Sequence, residues 1–335
     1  MSKGIRAFVS GKLSDKAAKM LSEFADVDMH EYDDPLTQEQ IINNLRNKDV
    51  LVSVLGDKVD AEVMDICSHL KLVANVAVGF DNVHIEDATA RGILVTNTPG
   101  VLDDATADLA FGLLLSCARR IVEADRFVRE GMWKGWKRDL MLGHEISGKT
   151  LGIVGMGRIG QAVARRARGF GLRTIYVRSS EKDDKDEKIA RELDAQRTTL
   201  DELLRRSDFI SVNCPLNAKT RHLIGKKEFA MMKPNCIIVN TSRGAIIDTV
   251  ALMDALETGK VAGAALDVFE NEPYVPDKLM TMTNTVLTPH IGSASLETRR
   301  AMDELAVSAV IKAFSGELPP NAVNPNAWNR FKTRT

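Results

Sequence analysis

The stretch Leu151-Gly152-Ile153-Val154-Gly155-Met156-Gly157-Arg158-Ile159-Gly160 decides how this chain folds. Residues 151–154 form an apolar run that predicts a buried strand, and the residues from Gln161 onward have the spacing of a helix. The glycines between them match the G-x-G-x-x-G pattern of a strand–turn–helix unit that binds a dinucleotide. The pattern alone also occurs in glycine-rich turns without a ligand, so its position between a strand and a helix is what favours binding.

Each glycine of this turn has a physical task in a dinucleotide site. Gly155 permits the tight turn, Gly157 lets the backbone approach a pyrophosphate, and Gly160 lets the helix pack closely on the strand. The pyrophosphate then lies against the N–H groups at the start of the helix, where Arg158 and Ile159 follow Gly157. We therefore predict a nicotinamide dinucleotide as the cofactor.

The end of the next strand bears on which dinucleotide binds. NAD sites place an acidic residue there to accept hydrogen bonds from the ribose. This chain instead has Arg178, Ser179 and Ser180, with no acid before Glu181. A guanidinium group pairs with a 2′-phosphate, so we predict that NADP(H) is preferred and NAD(H) possible. In the alternative interpretation Arg178 is a solvated cation and NAD binds.

Strand and helix patterns alternate along the whole chain, which predicts parallel sheets covered by helices on both faces. The predicted strands are 5–9, 50–55, 72–78, 93–96, 151–154, 174–177, 209–213, 237–240, 263–268 and 285–287. The predicted helices are 15–24, 37–47, 60–69, 85–91, 105–120, 161–169, 200–206, 226–232, 249–257 and 297–316. The charged run 181–192 is interpreted as a solvated loop and helix face.

Composition limits the classes of partner. A length of 335 residues predicts two domains, and 45 basic against 46 acidic residues give no reason to expect nucleic acid or an anionic membrane as partner. The N-terminus has no apolar core of a signal peptide, and no apolar run reaches the length of a membrane helix. The spacing of the cysteines and histidines favours free thiols in a reducing cytoplasm and no metal site.

Two segments suggest contact with another surface. The predicted helix 105–120 is apolar nearly all round, which is typical of a buried helix. The region 121–147 then places Trp133, Trp136, Leu140 and Met141 among charged residues. Large apolar side chains in such a segment predict a dimerisation arm and a homodimer.

Several longer motifs occur in a fixed order around the glycine turn. They are Val76-Ala77-Val78-Gly79-Phe80-Asp81-Asn82, Asp104-Ala105-Thr106-Ala107-Asp108, Asn240-Thr241-Ser242-Arg243-Gly244, Asp267-Val268-Phe269-Glu270-Asn271-Glu272-Pro273 and Thr288-Pro289-His290-Ile291-Gly292. Together they resemble the D-isomer-specific 2-hydroxyacid dehydrogenases, and the glyoxylate/hydroxypyruvate reductase (2-ketogluconate reductase) branch most closely. The resemblance covers nearly the whole chain.

The resemblance implies an α/β fold of two Rossmann-like, doubly wound domains flanking a cleft. A substrate-binding domain would comprise residues 1–101 plus 298–335, and an NAD(P)-binding Rossmann domain would comprise residues 102–297. The final helix should therefore return to the first domain, which helical periodicity by itself does not indicate.

The resemblance also implies three catalytic residues. Arg243 would hold the substrate carboxylate and polarise the 2-oxo group, since its fork matches a carboxylate. His290 would act as general acid/base, because the ordinary pKa of histidine lies near neutral pH. Glu272 would accept a hydrogen bond from the other imidazole nitrogen and fix the ring.

The remaining site residues follow from the same resemblance. Leu55, Val78 and Gly79 would join Arg243 in binding the substrate. For Leu55, a role in the hydrophobic core is an equal alternative. The cofactor would contact residues near the turn and the later strand ends: Thr106, Gly155, Gly157, Arg158, Ile159, Gly160, Arg178, Ser179, Ser180, Cys214, Pro215, Thr220, Thr241, Ser242, Arg243, Asp267, His290 and Gly292.

The resemblance implies NADPH-dependent reduction of a small 2-oxo acid, with glyoxylate, hydroxypyruvate and 2-ketogluconate as the candidates. D-3-phosphoglycerate and D-lactate dehydrogenases share the motifs and remain alternatives. A third alternative is a corepressor-like protein that senses a dinucleotide, because such a protein can keep the glycine turn and all three catalytic residues.

Overall fold

The computed structural model describes residues 4–30, 34–179 and 184–335. Over these residues the strands form two all-parallel sheets, one of five strands and one of seven. The chain divides into two compact units that each contain one sheet: a terminal unit, Met1–Leu102 with Ala294–Thr335, and a central unit, Asp103–Ser293. The predicted fold class, two parallel-sheet α/β domains, is confirmed.

The elements follow one another in strand–helix alternation. The strands are β1 (Arg6–Val9), β2 (Asp26–Met29), β3 (Val50–Ser53), β4 (Leu72–Asn75), β5 (Leu94–Thr96), β6 (Thr150–Val154), β7 (Arg173–Val177), β8 (Ala195–Arg197), β9 (Phe209–Val212), β10 (Ile237–Asn240), β11 (Gly263–Leu266) and β12 (Thr285–Leu287). The helices are α1 (Asp15–Phe24), α2 (Gln38–Leu45), α3 (Ala61–Ile66), α4 (Ile85–Ala90), α5 (Asp103–Ala118), α6 (Ile121–Arg129), α7 (Arg158–Gly169), α8 (Asp184–Leu193), α9 (Leu200–Arg206), α10 (Lys226–Met231), α11 (Thr249–Glu257), α12 (Asp277–Thr281), α13 (Leu296–Phe314) and α14 (Trp328–Arg334).

The sheet of the terminal unit has the order β2-β1-β3-β4-β5. Its edge strand β2 was not predicted, because Asp26 and Asp28 alternate with Val27 and Met29 and no apolar run marks the strand. Pairing with β1, in the register Arg6↔Asp26, places it. An edge strand with one polar face needs no continuous apolar run.

The C-terminal segment completes the terminal unit. Helix α13 packs on α1 and on β4, and Asp303 within it accepts a hydrogen bond from the Ser14 backbone N–H at 2.8 Å. Further along, the Asn324 side chain accepts from the Val95 N–H at 2.8 Å and donates to the Ile93 carbonyl at 2.9 Å. Buried polar contacts of this kind fix the returning segment to β5.

The sheet of the central unit has the order β12-β11-β10-β9-β6-β7-β8, so the strand order reverses between β6 and β9. Ligands of open parallel sheets bind outside the carboxyl ends of the strands at such a reversal. Helix α5 is buried within this unit, where it packs on α7, β10 and β11. The buried residues of α5 are therefore covered by its own unit. The exposed apolar side chains that favour a dimer belong to the segment that follows α5.

The charged run 181–192, interpreted as a solvated loop and helix face, forms helix α8 over its described part, and the other face of this helix is buried. Helix α8 buries Asp186, Ile189 and Leu193, whose spacing forms one face of a helix. The Asp186 side chain is 2% exposed and accepts a hydrogen bond from the Tyr176 hydroxyl at 2.7 Å. Because Asp186 occupies one position of the buried face, the sequence does not show the regular spacing of apolar residues that predicts such a face.

The segment after α5 exposes apolar side chains. Helix α6 forms the first part of the predicted dimerisation arm, 121–147, and has no buried residue. The exposed side chains are Ile121, Val122, Val128, Met132, Trp133, Trp136 and Leu142. Among the described helices, none combines the length and apolar character needed to cross a membrane.

Candidate active site

The glycine turn after β6 has the geometry that its pattern predicts. Gly155 adopts a φ of 101°, which side-chain-bearing residues rarely adopt, and its N–H donates to the Val177 carbonyl at 2.9 Å. A Cβ added at Gly155 would lie 2.5 Å from the Cys214 backbone nitrogen. The turn is therefore as tight as glycine alone allows.

Gly157 and Gly160 differ in what surrounds them. A Cβ at Gly160 would collide with the Gly155 carbonyl oxygen, so this glycine serves helix packing. A Cβ at Gly157 would meet no atom of the described residues within 4 Å, although Gly157 is the N-cap of α7. The space in front of the helix N-terminus thus accepts an anion, and these residues fit the pyrophosphate of a dinucleotide.

The end of β7 carries the side chains predicted to choose between NAD and NADP. Arg178 Nη1 lies 3.6 Å from Asp186 Oδ1, and the Arg178 side chain is 17% exposed. Ser179 is exposed, and Ser180 lies outside the described residues. Asp186 of α8 is therefore buried beside Arg178 at this strand end and forms an ion pair with it.

Arg243 follows β10 in a loop that its neighbours hold closely. Asn240 Nδ2 donates to the Arg243 carbonyl at 2.9 Å, and Asn240 Oδ1 accepts from the Ser242 N–H at 3.0 Å. The Ser242 hydroxyl donates to the Cys214 carbonyl, which joins the loops after β9 and β10. The partly buried guanidinium group of Arg243 is therefore carried by a loop with a fixed backbone.

His290 and Glu272 are joined directly. His290 Nδ1 lies 2.8 Å from Glu272 Oε2, and the other carboxylate oxygen, Oε1, accepts from the Phe269 N–H at 2.9 Å. The His290 side chain is 27% exposed. His290 has a left-handed φ of 53°, a conformation that costs about 1–3 kcal/mol in a residue other than glycine.

The surroundings of Glu272 favour its ionised form. Burial raises the pKa of Glu272, but the hydrogen bonds from His290 and Phe269 and the positive charges of His290 and Arg243 together lower it below its usual value. A carboxylate that remains ionised stabilises a positive charge on the imidazole bonded to it.

Asp267 holds the loop that carries His290. Its oxygens accept from the Thr288 hydroxyl at 2.7 Å and from the Ile291 and Gly292 N–H groups at 2.8 Å each. The His290 N–H donates to the Asp267 carbonyl at 2.9 Å. These bonds provide the physical support for the unusual φ of His290.

The chain's similarity to known proteins identifies its family. Residues 111–292 match the model of the D-isomer specific 2-hydroxyacid dehydrogenase, NAD binding domain. The glyoxylate reductase of Thermococcus litoralis is 49% identical over 325 residues, which are 95% of this chain and 96% of that protein. The chain belongs to the D-isomer-specific 2-hydroxyacid dehydrogenases. It is an NAD(P)-dependent oxidoreductase of this family, as the resemblance implied.

Other known proteins are similar to this chain over nearly their full length. The glyoxylate reductase of Korarchaeum cryptofilum is 48% identical and matches over 95% of this chain and 96% of its own length. A solved protein from Thermus thermophilus has a TM-score of 0.88 at 42% identity, covering 95% of this chain and all of that one. The NADPH-dependent glyoxylate/hydroxypyruvate reductase of Sinorhizobium meliloti was solved with NADP and malonate. It has a TM-score of 0.82 at 33% identity, and the match covers 96% of this chain and 98% of that one.

In this dehydrogenase, one sheet edge of the central unit gathers most of the predicted site. The glycine turn, Arg243, Glu272 and His290 all follow carboxyl ends of parallel strands in the same sheet. Gly292 and Thr106 are neighbours, since a Cβ at Gly292 would lie 3.4 Å from the Thr106 methyl group. Their roles toward the cofactor and the substrate stay predictions.

The loop after β9 contains the other predicted cofactor residues. The Thr220 hydroxyl donates to the Pro215 carbonyl at 2.7 Å and accepts from the Asn217 N–H at 2.8 Å. Cys214 is buried, and burial raises the pKa of its thiol to about 11. The Cys214 thiol is therefore not a reactive thiolate near neutral pH.

The terminal unit holds the predicted substrate residues Leu55, Val78 and Gly79, all partly buried. The carbonyls of Val78 and Gly79 accept from the side chains of Asn97 at 2.8 Å and Asn75 at 2.9 Å. These two asparagines were not predicted from the sequence. A single asparagine next to a strand end gives no pattern by which to recognise such a contact.

Proposed function

We propose that this dehydrogenase reduces a small 2-oxo acid to the D-2-hydroxy acid with NADPH. Glyoxylate and hydroxypyruvate are the first candidates, and the longer 2-ketogluconate is the third. The observation that carries the proposal is the 2.8 Å contact between His290 and Glu272 on the sheet edge that also bears Arg243 and the glycine turn. The relative from Thermococcus litoralis is a glyoxylate reductase and the one from Sinorhizobium meliloti a glyoxylate/hydroxypyruvate reductase, which favours the first two candidates.

His290 is the general acid of the proposed reaction. When bound, the nicotinamide supplies the hydride that reduces the carbonyl carbon. The Nδ1 side of the imidazole faces Glu272, so we assign proton transfer to Nε2 on the opposite side of the ring. Glu272 holds the plane of the ring through its contact with Nδ1, and the proton passes from Nε2 to the carbonyl oxygen. In the oxidative direction His290 removes the hydroxyl proton.

Arg243 binds the C1 carboxylate of the substrate. Two parallel N–H groups of a guanidinium group match two carboxylate oxygens, and this fork fixes the direction of the adjoining 2-oxo group. The Asn240 and Ser242 contacts hold the loop in place before substrate arrives. Preorganised donors of this kind lower the cost of reaching the transition state.

The NADPH preference rests on Arg178 and Ser179. A 2′-phosphate carries negative charge that a guanidinium group pairs with, whereas the acid that usually receives ribose hydroxyls is absent from the described residues directly after β7. Replacing Arg178 with Asp should shift the kcat/KM ratio toward NADH. A ratio of kcat/KM for NADPH over NADH that is unchanged by the substitution would contradict the assignment.

Steady-state rates with glyoxylate, hydroxypyruvate and 2-ketogluconate, each with NADPH and NADH, test the substrate proposal. We expect the highest kcat/KM for glyoxylate or hydroxypyruvate with NADPH. A preference for D-lactate or D-3-phosphoglycerate in the oxidative direction would replace the substrate assignment. Tight dinucleotide binding without turnover of any 2-oxo acid would favour the dinucleotide-sensing, corepressor-like alternative.

We also infer that the chain forms a homodimer through the segment 121–147. The exposed Trp133 and Trp136 side chains, 56% and 83% exposed, are larger apolar surfaces than an isolated domain usually leaves to water. Sedimentation equilibrium of the wild type and of a Trp133→Ser, Trp136→Ser double variant tests this. A monomeric wild type would overturn the inference.

A further inference from the structure

A second arginine lies beside Arg178 at the end of the neighbouring strand. Strands β7 and β8 are parallel and pair in the register Tyr176↔Arg197. Arg197 is therefore the last residue of β8 and lies at the carboxyl edge next to Arg178, which follows β7. The side chains of Arg178 and Arg197 are 17% and 22% exposed.

Asp186 of α8 brings the two guanidinium groups to one place. Its Oδ2 accepts from Arg197 Nη1 at 2.5 Å, and its Oδ1 lies 3.6 Å from Arg178 Nη1. The Asp186 side chain is 2% exposed, so the carboxylate is buried, whereas each arginine side chain is partly exposed. The pair thus places two cationic side chains around one buried carboxylate at the carboxyl edge of the sheet.

We propose that Arg197 is a second cation of the subsite for the 2′-phosphate of NADP, with Asp186 as the residue that positions both arginines. The proposal rests on the NADPH preference proposed above. A phosphate group has three acceptor oxygens and a charge near −2 at neutral pH, which two guanidinium forks match better than one. Arginine is suited to this task because its planar fork loses little freedom when its geometry is already fixed.

A merely structural role is the alternative for Arg197. Its Nη2 donates to the Arg178 carbonyl at 3.4 Å, so its loss could loosen the strand end without any phosphate contact. Loosening would weaken the binding of any adenosine nucleotide. A phosphate contact, in contrast, matters only for a nucleotide that carries a 2′-phosphate.

Calorimetric binding of 2′,5′-ADP and 5′-AMP separates the two roles without any turnover. The ratio of the two dissociation constants isolates the 2′-phosphate. We expect Arg197→Gln to weaken 2′,5′-ADP at least about tenfold, the usual effect of losing a hydrogen bond between charged groups, and to change 5′-AMP less than about twofold. Arg197→Lys keeps the charge and should recover part of the loss.

Arg191→Gln is the matched control, since Arg191 is an exposed arginine on α8 and its removal changes the net charge equally. It should leave the ratio unchanged. Equal weakening of both nucleotides by Arg197→Gln, or an unchanged ratio, would overturn the role of Arg197. If Arg178→Gln removes the preference for 2′,5′-ADP while Arg197→Gln does not, only this inference fails. A wild type that binds both nucleotides equally would overturn the NADPH preference as well.

Discussion

The strand order reverses once in each of the two sheets, but the residues that follow the strands at the two reversals differ. In the terminal unit the strand order reverses between β1 and β3, and in the central unit it reverses between β6 and β9. At the first reversal the Ser10 hydroxyl donates to the buried carboxylate of Asp57, which also accepts from the Val54 N–H at 2.8 Å. At the second, the glycine turn leaves space in front of a helix.

This difference teaches that a reversal of strand order offers a site, but the turn residues decide whether it has room for the pyrophosphate of a dinucleotide. A Cβ at Gly11, after β1, would lie 2.8 Å from the Val54 side chain, whereas a Cβ at Gly157, after β6, meets no described atom within 4 Å. At the terminal reversal the Ser10 hydroxyl and the Val54 N–H both bond to Asp57. At the central reversal the open space at Gly157 leaves room for an anion in front of α7. A doubly wound sheet alone therefore does not imply dinucleotide binding.

The largest expected effect concerns the chemistry of the central edge. His290→Ala should lower kcat by about 10²–10⁴-fold, because general acid–base catalysis contributes that much. Dinucleotide affinity should change far less than kcat, since it depends mainly on the glycine turn. Turnover close to that of wild type would show that another group donates the proton.

The next effect concerns the space at Gly157. Gly157→Val should weaken NADPH binding at least about 100-fold, because excluding the pyrophosphate removes at least two charge-assisted hydrogen bonds of about 1.5–3 kcal/mol each. The melting temperature should change little, since the added side chain meets no described atom near its Cβ. Fluorescence titration and thermal unfolding measure the two quantities, and unchanged binding would remove the turn from the cofactor site.

A smaller effect should appear at the matching position of the terminal edge. Gly11→Ala forces the Val54 side chain to move and should cost about 1 kcal/mol of unfolding free energy. NADPH affinity should not change. A loss of affinity as large as that of Gly157→Val would erase the contrast between the two edges.

The smallest effect is a pH dependence of opposite sign at the two edges. The pKa of Glu272 is lowered, so its ionised form stabilises the folded state above the ordinary value of 4.5, and this contribution is lost as pH falls through the lowered pKa. Burial raises the pKa of Asp57 despite its hydrogen bonds with Ser10 and Val54, so its penalty on folding is relieved as pH falls.

Urea unfolding at pH 7 and pH 4 tests both signs. The stability of wild type relative to Glu272→Gln should decrease on acidification, by less than about 1 kcal/mol for a partly exposed pair. The stability of wild type relative to Asp57→Asn should increase. The same sign for both variants would contradict the pKa directions.

The sequence predicted the fold class and most elements, because apolar runs and glycine turns are local signals. It did not predict β2, whose acidic residues alternate with apolar ones, or the burial of Asp186. Both depend on partners distant in sequence. A strand is placed by its neighbour in the sheet, and a buried acid is tolerated only where hydrogen-bond donors converge on it.

The candidate site shows the same division. Arg243, Glu272 and His290 were predicted from ordered motifs, and their roles remain proposals. The positioning contacts of Asp267, Asn240 and Asn75 became visible only in the structure. The Asp267 contacts join two separate loops, whereas Asn240 and Asn75 bond to residues two to four positions further along their own loops. Neither kind of contact has a sequence pattern of its own, because an asparagine or aspartate side chain can bond to many backbone groups.

The central claim is that NADPH bound at the edge with the glycine turn and His290 would transfer a hydride to a 2-oxo acid. A single-turnover measurement tests it most directly: enzyme loaded with NADPH is mixed with hydroxypyruvate, while nicotinamide absorbance and the chirality of the product are followed. We predict oxidation of one NADPH per active site with formation of D-glycerate. No oxidation by the loaded enzyme, or formation of L-glycerate, would contradict the account.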